Sequence, residues 1–400
     1  MAIQRLRDYQ GPALLIYGYR PFFLFGSLYA GLSIALWLPL FYGDLALATE
    51  FAVVDWHIHE IFFGFLSAVV TGFLFTAIPN WTGRMPIQGK PLLLMVLIWV
   101  IGRIAITYSS YIGWVAAMTV DLLFLSTVLA VLANEIVAGK NWRNLKVLLP
   151  LSLLLAANVG FHLEAHFYGL SDISRRLAMA AAILFIMVIG GRIIPSFTRN
   201  WLVRNNPGRL PIPFNQFDTL AIIITFAALG IWVLLGLNLL AGDLLLLAAV
   251  LQFIRLIRWS GDRTWKEPLL LVLHLSYLFI PVGLALLGLA GSFPDQFSAI
   301  SGEHALGTGA IGSMTLSVML RASLGHSGRE LRAGIAANMI FIFIFLAAIS
   351  RIAAEFVEDQ YGLLLHVSAL AWFMAFVGFG LGFSPLFLTK RGGSKAGSHP

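Results

Sequence analysis

His57, His59 and Glu60 stand together in the run DWHIHEIFFGF, Asp55 to Phe65, at the mouth of an otherwise apolar stretch. Ionisable groups are expensive inside a bilayer, so a run like this marks chemistry that needs an account. Neutral imidazole offers a nitrogen lone pair to a metal ion or to haem iron. The chain has no cysteine. Thiolate metal sites, iron–sulfur clusters and disulfides are therefore excluded. A metal or haem has to be held by His, Met, Tyr, carboxylate or backbone.

Spacing narrows what the histidines can do. His162 and His166 are four apart, share a helix face and could grip one ion. His57 and His59 are two apart, about 200° around a regular helix. They do not converge on one metal unless the helix start unwinds, and could instead face two different centres. His57 and Glu60, three apart, share a face. One ring nitrogen of His57 could bind a metal while a carboxylate or carbonyl orients the other. His304 precedes Gly307, Thr308, Gly309, Ala310, Ile311 and Gly312, which spell GxGxxG. A dinucleotide fingerprint needs a preceding strand, and this run lies in a spanning segment, so nucleotide binding is rejected. Small residues let a neighbouring helix approach closely. They would equally let a flat macrocycle lie against the backbone. The plainer account of a lone interfacial histidine, His366 for one, is a polar residue reaching headgroups or water. His166 could be an ordinary loop residue.

The elements that carry these residues are membrane spans. Hydrophobic residues make up 59% and charged residues 11% of 400 residues, with mean hydropathy +0.87. Soluble domains hold roughly 45–50% apolar and about 25% charged residues. A span needs about 20 mainly apolar residues. About twelve qualify, near 21–42, 58–79, 91–107, 113–134, 147–163, 177–197, 217–237, 239–257, 268–290, 303–321, 333–352 and 361–388. Segments seven and eight are split by a turn near Gly242 and Asp243. The first segment is too long and too aromatic for a cleaved signal peptide. The net charge of +7 does not indicate nucleic-acid binding. Of the 26 Lys and Arg, all but Arg103, Arg175, Arg176 and Arg351 fall in alternate loops, where they act as topology signals. Both termini are then cytoplasmic. The chain is an all-α polytopic protein in one transmembrane domain, 1–400, with a flexible cytoplasmic tail over 389–400. On this topology His57, His59, His162, His166, His304 and His366 share one layer near the outer surface, with Asp55, Glu60, Glu164 and Glu303. A second polar group, Asn80, Thr82, Arg84, Arg192, Arg199, Arg321, Ser323, His326 and Arg329, gathers at the cytoplasmic ends.

A faint repeat links IPNWTGR (Ile78 to Arg84), IPSFTR (Ile194 to Arg199) and MLRASLGHSGR (Met319 to Arg329), four helices apart. It points to three four-helix units. Together with YRPFF (Tyr19 to Phe23), WHIHEIFFGF (Trp56 to Phe65), GFLFTAIPNWTGR (Gly72 to Arg84), GGRIIPSFTRN (Gly190 to Asn200) and HALGTGAIGSMTLSVMLRASLGHSGR (His304 to Arg329), these stretches resemble the NnrS family of bacterial membrane proteins. The resemblance runs from about residue 18 to about 390. It implies a multi-pass inner-membrane protein containing haem and copper, linked to the nitric oxide response; the haem is expected to be b-type. Its electron donor is unknown. A weaker likeness is to the catalytic subunits of haem–copper oxidases, which also have twelve helices in three arcs and take haem ligands from helices 2 and 10. The His-His pair of such oxidases is missing here, and the sixth helix has no histidine, which puts an oxygen-reducing binuclear centre in doubt. The expectation is a haem site from His304 with His57 or His59. The remaining helix-2 histidine, with His162 and His166, supplies copper candidates, and Arg175 and Arg176 could pair with propionates. The competing expectations are a twelve-helix secondary transporter and a protein that carries haem or copper only in transit.

Overall fold

A backbone amide inside a bilayer has no water to bond, so each spanning segment must close its hydrogen bonds internally. In the computed structural model, which describes residues 9–390, the described residues form helices and no strand. The long helices, in order, are α1 (Tyr19–Tyr42), α2 (Val53–Thr82), α3 (Lys90–Thr107), α4 (Trp114–Ala138), α5 (Leu148–Tyr168), α6 (Ile173–Asn205), α7 (Gln216–Leu235), α8 (Leu239–Ile257), α9 (Pro268–Ser292), α10 (299–327), α11 (Ile335–Ala353) and α12 (Tyr361–Gly382). Among the described residues, 11 helices are long and apolar enough to cross a membrane. The exception is α10, whose length is diluted by glycine and serine. The chain is thus a polytopic all-α membrane protein.

Three boundaries differ from expectation, each for a local reason. The break between α7 and α8 is not at Gly242 and Asp243, which lie inside α8. It falls at Gly236, whose φ of 69° suits glycine, and Asn238, whose side chain accepts from Ala241 N at 3.0 Å and caps α8. Helix α2 begins at Val53 rather than 58, so His57 and His59 sit within the first turns. Helix α12 stops at Gly382, and a separate short helix Ser384–Leu388 follows. Of the expected tail, residues 391–400 lie outside the described residues.

Two helices are interrupted by π-helical stretches, Glu60–Leu66 in α2 and Ala305–Gly312 in α10. Each follows directly on a histidine, His59 or His304. Arg84 lies as far beyond His59 as Arg329 lies beyond His304, and Gly64 and Gly309 match in the same register. Helix α6 carries no such stretch. The likeness is therefore clearest between the second and tenth helices. Stretches of π-helix carry an extra residue in the turn, re-aim the side chains that follow, and often mark functional sites. Helix α2 packs on α1 on one side and meets α4 on the other. Helix α10 packs on α9 and α11.

Candidate functional site

One side of α2 faces a sealed ionic cluster. Glu60 accepts from His59 Nδ1 at 2.9 Å and from Arg103 Nη1 at 2.7 and 2.8 Å, and also from Tyr29 Oη. Arg103, on α3, donates its other terminal nitrogen to Asp121 of α4. The second oxygen of Asp121 accepts from Asn158 Nδ2 of α5 at 2.8 Å and lies 3.3 Å from Nε2 of both His162 and His59. One ligand atom from each of His59, Asp121 and His162 lies within 4.8 Å of the others, and all three residues are buried. The rings of Phe51, Phe63 and Phe161 stand 4.9, 5.0 and 5.4 Å from that of His59, closing the cluster with apolar surface. His59 Nε2 has no hydrogen-bond partner, nor does Asn158 Oδ1. The charge count is uneven: two carboxylates face one guanidinium. With neutral imidazoles one positive charge is wanting, which a proton or a bound cation can supply. Uncompensated charge is costly in such surroundings.

The other side of α2 opens on a cavity of ≈ 430 Å³, lined by residues of α1, α2, α6, α7, α10, α11 and α12. That lies within the range of about 300–1,000 Å³ typical of cofactor and ligand cavities. His57 enters it from α2 and His304 from α10. The His57 ring lies against Trp37, with centroids 4.6 Å apart, and its Nδ1 is unpartnered. His304 Nδ1 stands 2.9 Å from the Ile300 carbonyl oxygen one turn earlier. Donation there fixes the tautomer and leaves Nε2 with its lone pair. Arg175, Arg176 and Arg351 line the same cavity, as does Glu303. Arg175 and Arg176 pair with Asp172 at 3.1 and 2.9 Å, and Arg351 pairs with Glu355 at 2.7 Å. Gly307 also lines the wall, and a Cβ there would meet nothing nearer than Met179 Cε at 3.7 Å. Gly309 and Gly312 instead take the close approach of Phe279 and Trp372, where a Cβ would fall 2.4 and 2.5 Å from ring carbons.

The model of the family described as NnrS protein matches residues 13–391, nearly the whole described chain. The chain belongs to the NnrS family. No curated protein matches it.

In this NnrS chain the two helix-2 histidines point to opposite sides, His57 to the cavity and His59 to the cluster. Glu60 does not serve His57, as the shared face of a regular helix implied. The π-helical stretch starts at Glu60, and its carboxylate turns to His59, Arg103 and Tyr29. His162 joins His59 through Asp121. His166 stays apart from the cluster: it is exposed and stacks on Trp114 with centroids 4.1 Å apart. His366 is exposed and stacks on Tyr42. Arg175 and Arg176 reach the cavity. Sequence reasoning passed over Asp121, Asn158 and Tyr29, and noticed Arg103 and Arg351 only as exceptions among the basic residues. The signal was there for Arg103 and Asp121, each a solitary charge in a spanning segment.

Proposed function

We propose that the chain is a haem-binding inner-membrane protein of the nitric oxide response, with a second metal, copper, in the cluster beside it. The observation that carries this reading is the pair His57 and His304, which reach one cavity from facing helices with ring nitrogens to spare. The donor set fits haem. Two imidazoles suit its iron, aromatic walls suit its macrocycle, and three guanidiniums suit its two propionate carboxylates. With no cysteine to form thioether links, the haem would not be c-type, and we read it as b-type. When bound, haem iron supplies an open or exchangeable position that nitric oxide can occupy. This chain's own residues do the rest. His57 and His304 would hold the iron through their spare ring nitrogens. Arg175, Arg176 and Arg351 would anchor the carboxylates, and the apolar wall would keep water from the iron. Family membership supports the nitric oxide link.

His59, Asp121 and His162 form an N₂O donor set that suits late first-row metals. The wanting positive charge and the unpartnered Nε2 of His59 fit a cation there. A monovalent copper ion would balance the cluster outright. His166 is not among these ligands in our reading.

The test is an optical spectrum with metal analysis of detergent-purified protein from haem-replete cells. A Soret band is expected, shifted or lost in His304→Ala. A colourless, metal-free preparation sinks the reading. The basic loops support cytoplasmic termini. A reporter active only in the cytoplasm, fused after Pro400, should then give signal, and silence with full-length expression would reverse the orientation.

A further inference from the structure

The cluster of His59, Asp121 and His162 is closed by Phe51, Phe63 and Phe161, so a cation bound there needs a way in. A second, smaller cavity of ≈ 70 Å³ lies beside it, lined by Glu50, Ser109, Trp114, His162 and His166 among others. His162 belongs to both places. Its Nε2 lies against Asp121 in the cluster, and it also lines the smaller cavity. His166 sits one helical turn farther along α5, and both it and Glu50 are exposed. Neither is loosely held. The His166 ring lies nearly parallel to that of Trp114, with an interplanar angle of 16°. Glu50 N donates to Ser109 Oγ at 2.8 Å, and Ser110 N donates to the Ala48 carbonyl at 3.0 Å, which pins the Glu50 segment to the link between α3 and α4. A carboxylate and an imidazole that reach water thus stand over a third ligand that is buried and already part of the cluster.

We propose that this vestibule is a cation entry site, in which Glu50 and His166 take a metal ion from solution and pass it to His162. The proposal rests on reading the cluster as a metal site. The transfer is ligand exchange alone: each imidazole gives and regains a lone pair, the carboxylate stays ionised, and no electron moves. Four residues separate His166 from His162, a rise of about 6 Å, so an ion need shift only about that far to exchange one imidazole for the next. The excess of carboxylate over guanidinium in the cluster draws a cation inward. Stacking on Trp114 holds His166 at the rim and keeps it from collapsing onto the inner set, so it can release what it captures.

Cobalt(II) is the probe, because its visible absorption reports its own coordination. Metal-free full-length protein in detergent is mixed with Co²⁺, and the band of the bound ion is followed in time. Wild type should load one cobalt per chain, and His162→Gln should not develop the band. The double variant Glu50→Gln, His166→Phe keeps a ring on Trp114 but removes both donors. It should reach the wild-type final spectrum on the order of tenfold or more slowly, as expected when local cation capture is lost. If it loads as fast as wild type while His162→Gln stays dark, the vestibule is not the entry and the cluster reading stands. If its final band is lost or altered, Glu50 and His166 are ligands of the bound ion and the entry role is overturned. If wild type takes up no cobalt, or His162→Gln loads normally, the cluster reading itself fails and the entry role falls with it.

Discussion

Arg103 shows how much one residue carries here. Its guanidinium is 7% exposed and bridges Glu60 and Asp121, joining α2, α3 and α4 at one point. Removing it leaves two carboxylates buried with no fixed countercharge. Breaking a buried pair from one side costs about 3–5 kcal/mol. Arg103→Leu should therefore lower the unfolding midpoint in detergent sharply and reduce accumulation in the membrane. The double variant with Asp121→Asn should recover part of the loss, since one uncompensated charge is then gone. An unchanged midpoint in Arg103→Leu would mean the network is open to water. Some of this was legible in the sequence and some was not. The divergence of His57 and His59 follows from helix period, since both ride on one helix. Arg103 and Asp121 are visible as isolated charges in apolar runs. No spacing rule links them to Glu60, because the pairing is made between helices that only the fold brings together. Glu60 was mis-assigned to His57 for a related reason: the period that predicts a shared face assumes a regular helix, and the helix turns π-type at that residue.

At the scale of elements, the two π-helical stretches do the placing. They begin directly after His59 and His304 and carry glycines in matching register, Gly64 and Gly309. Sequence showed the glycines of α10 and left two meanings open, close helix packing or room for a flat macrocycle. The structure divides them between both. Gly309 and Gly312 are packing positions under Phe279 and Trp372, whereas Gly307 faces the cavity with space above it. This division can be tested by contrast. Gly309→Ala places a methyl group 2.4 Å from Phe279. Overpacking of that kind costs about 1–3 kcal/mol, more than the roughly 1 kcal/mol that alanine gains over glycine in helix propensity. It should depress the unfolding midpoint yet leave the haem content of the folded fraction near wild type. Gly307→Leu meets only the cavity. It should leave the midpoint of the haem-free protein close to wild type and cut the Soret absorbance per chain severalfold. If both variants lose pigment and stability in parallel, Gly307 is a packing residue as well, and the cavity wall is not where pigment lies.

For the molecule as a whole, α2 is a partition. The ionic cluster is assembled from α2 to α5, with Tyr29 of α1 reaching in from behind. The large cavity is assembled from α1, α2 and helices from α6 onward. Only α2 and α1 contribute to both, and α2 does so through ligand candidates two residues apart. The spans could be read from hydropathy, eleven of the described helices being long and apolar enough by themselves, because the bilayer imposes length and polarity on each segment separately. The partition could not, because it depends on which helices become neighbours. It implies that the two sites can be emptied one at a time. His57→Ala should weaken or abolish the Soret band while leaving the copper content of the chain unchanged. His59→Gln should do the reverse, removing copper while the Soret band keeps its height. The Ile58 side chain between them faces the cavity, so a shift of the Soret maximum by a few nanometres in His59→Gln is compatible with separate occupancy, whereas loss of its height is not. Metal analysis and an optical spectrum on the same two preparations decide the matter. Loss of both metals in either variant would show that the sites fill as one unit, and that helix α2 joins them instead of dividing them.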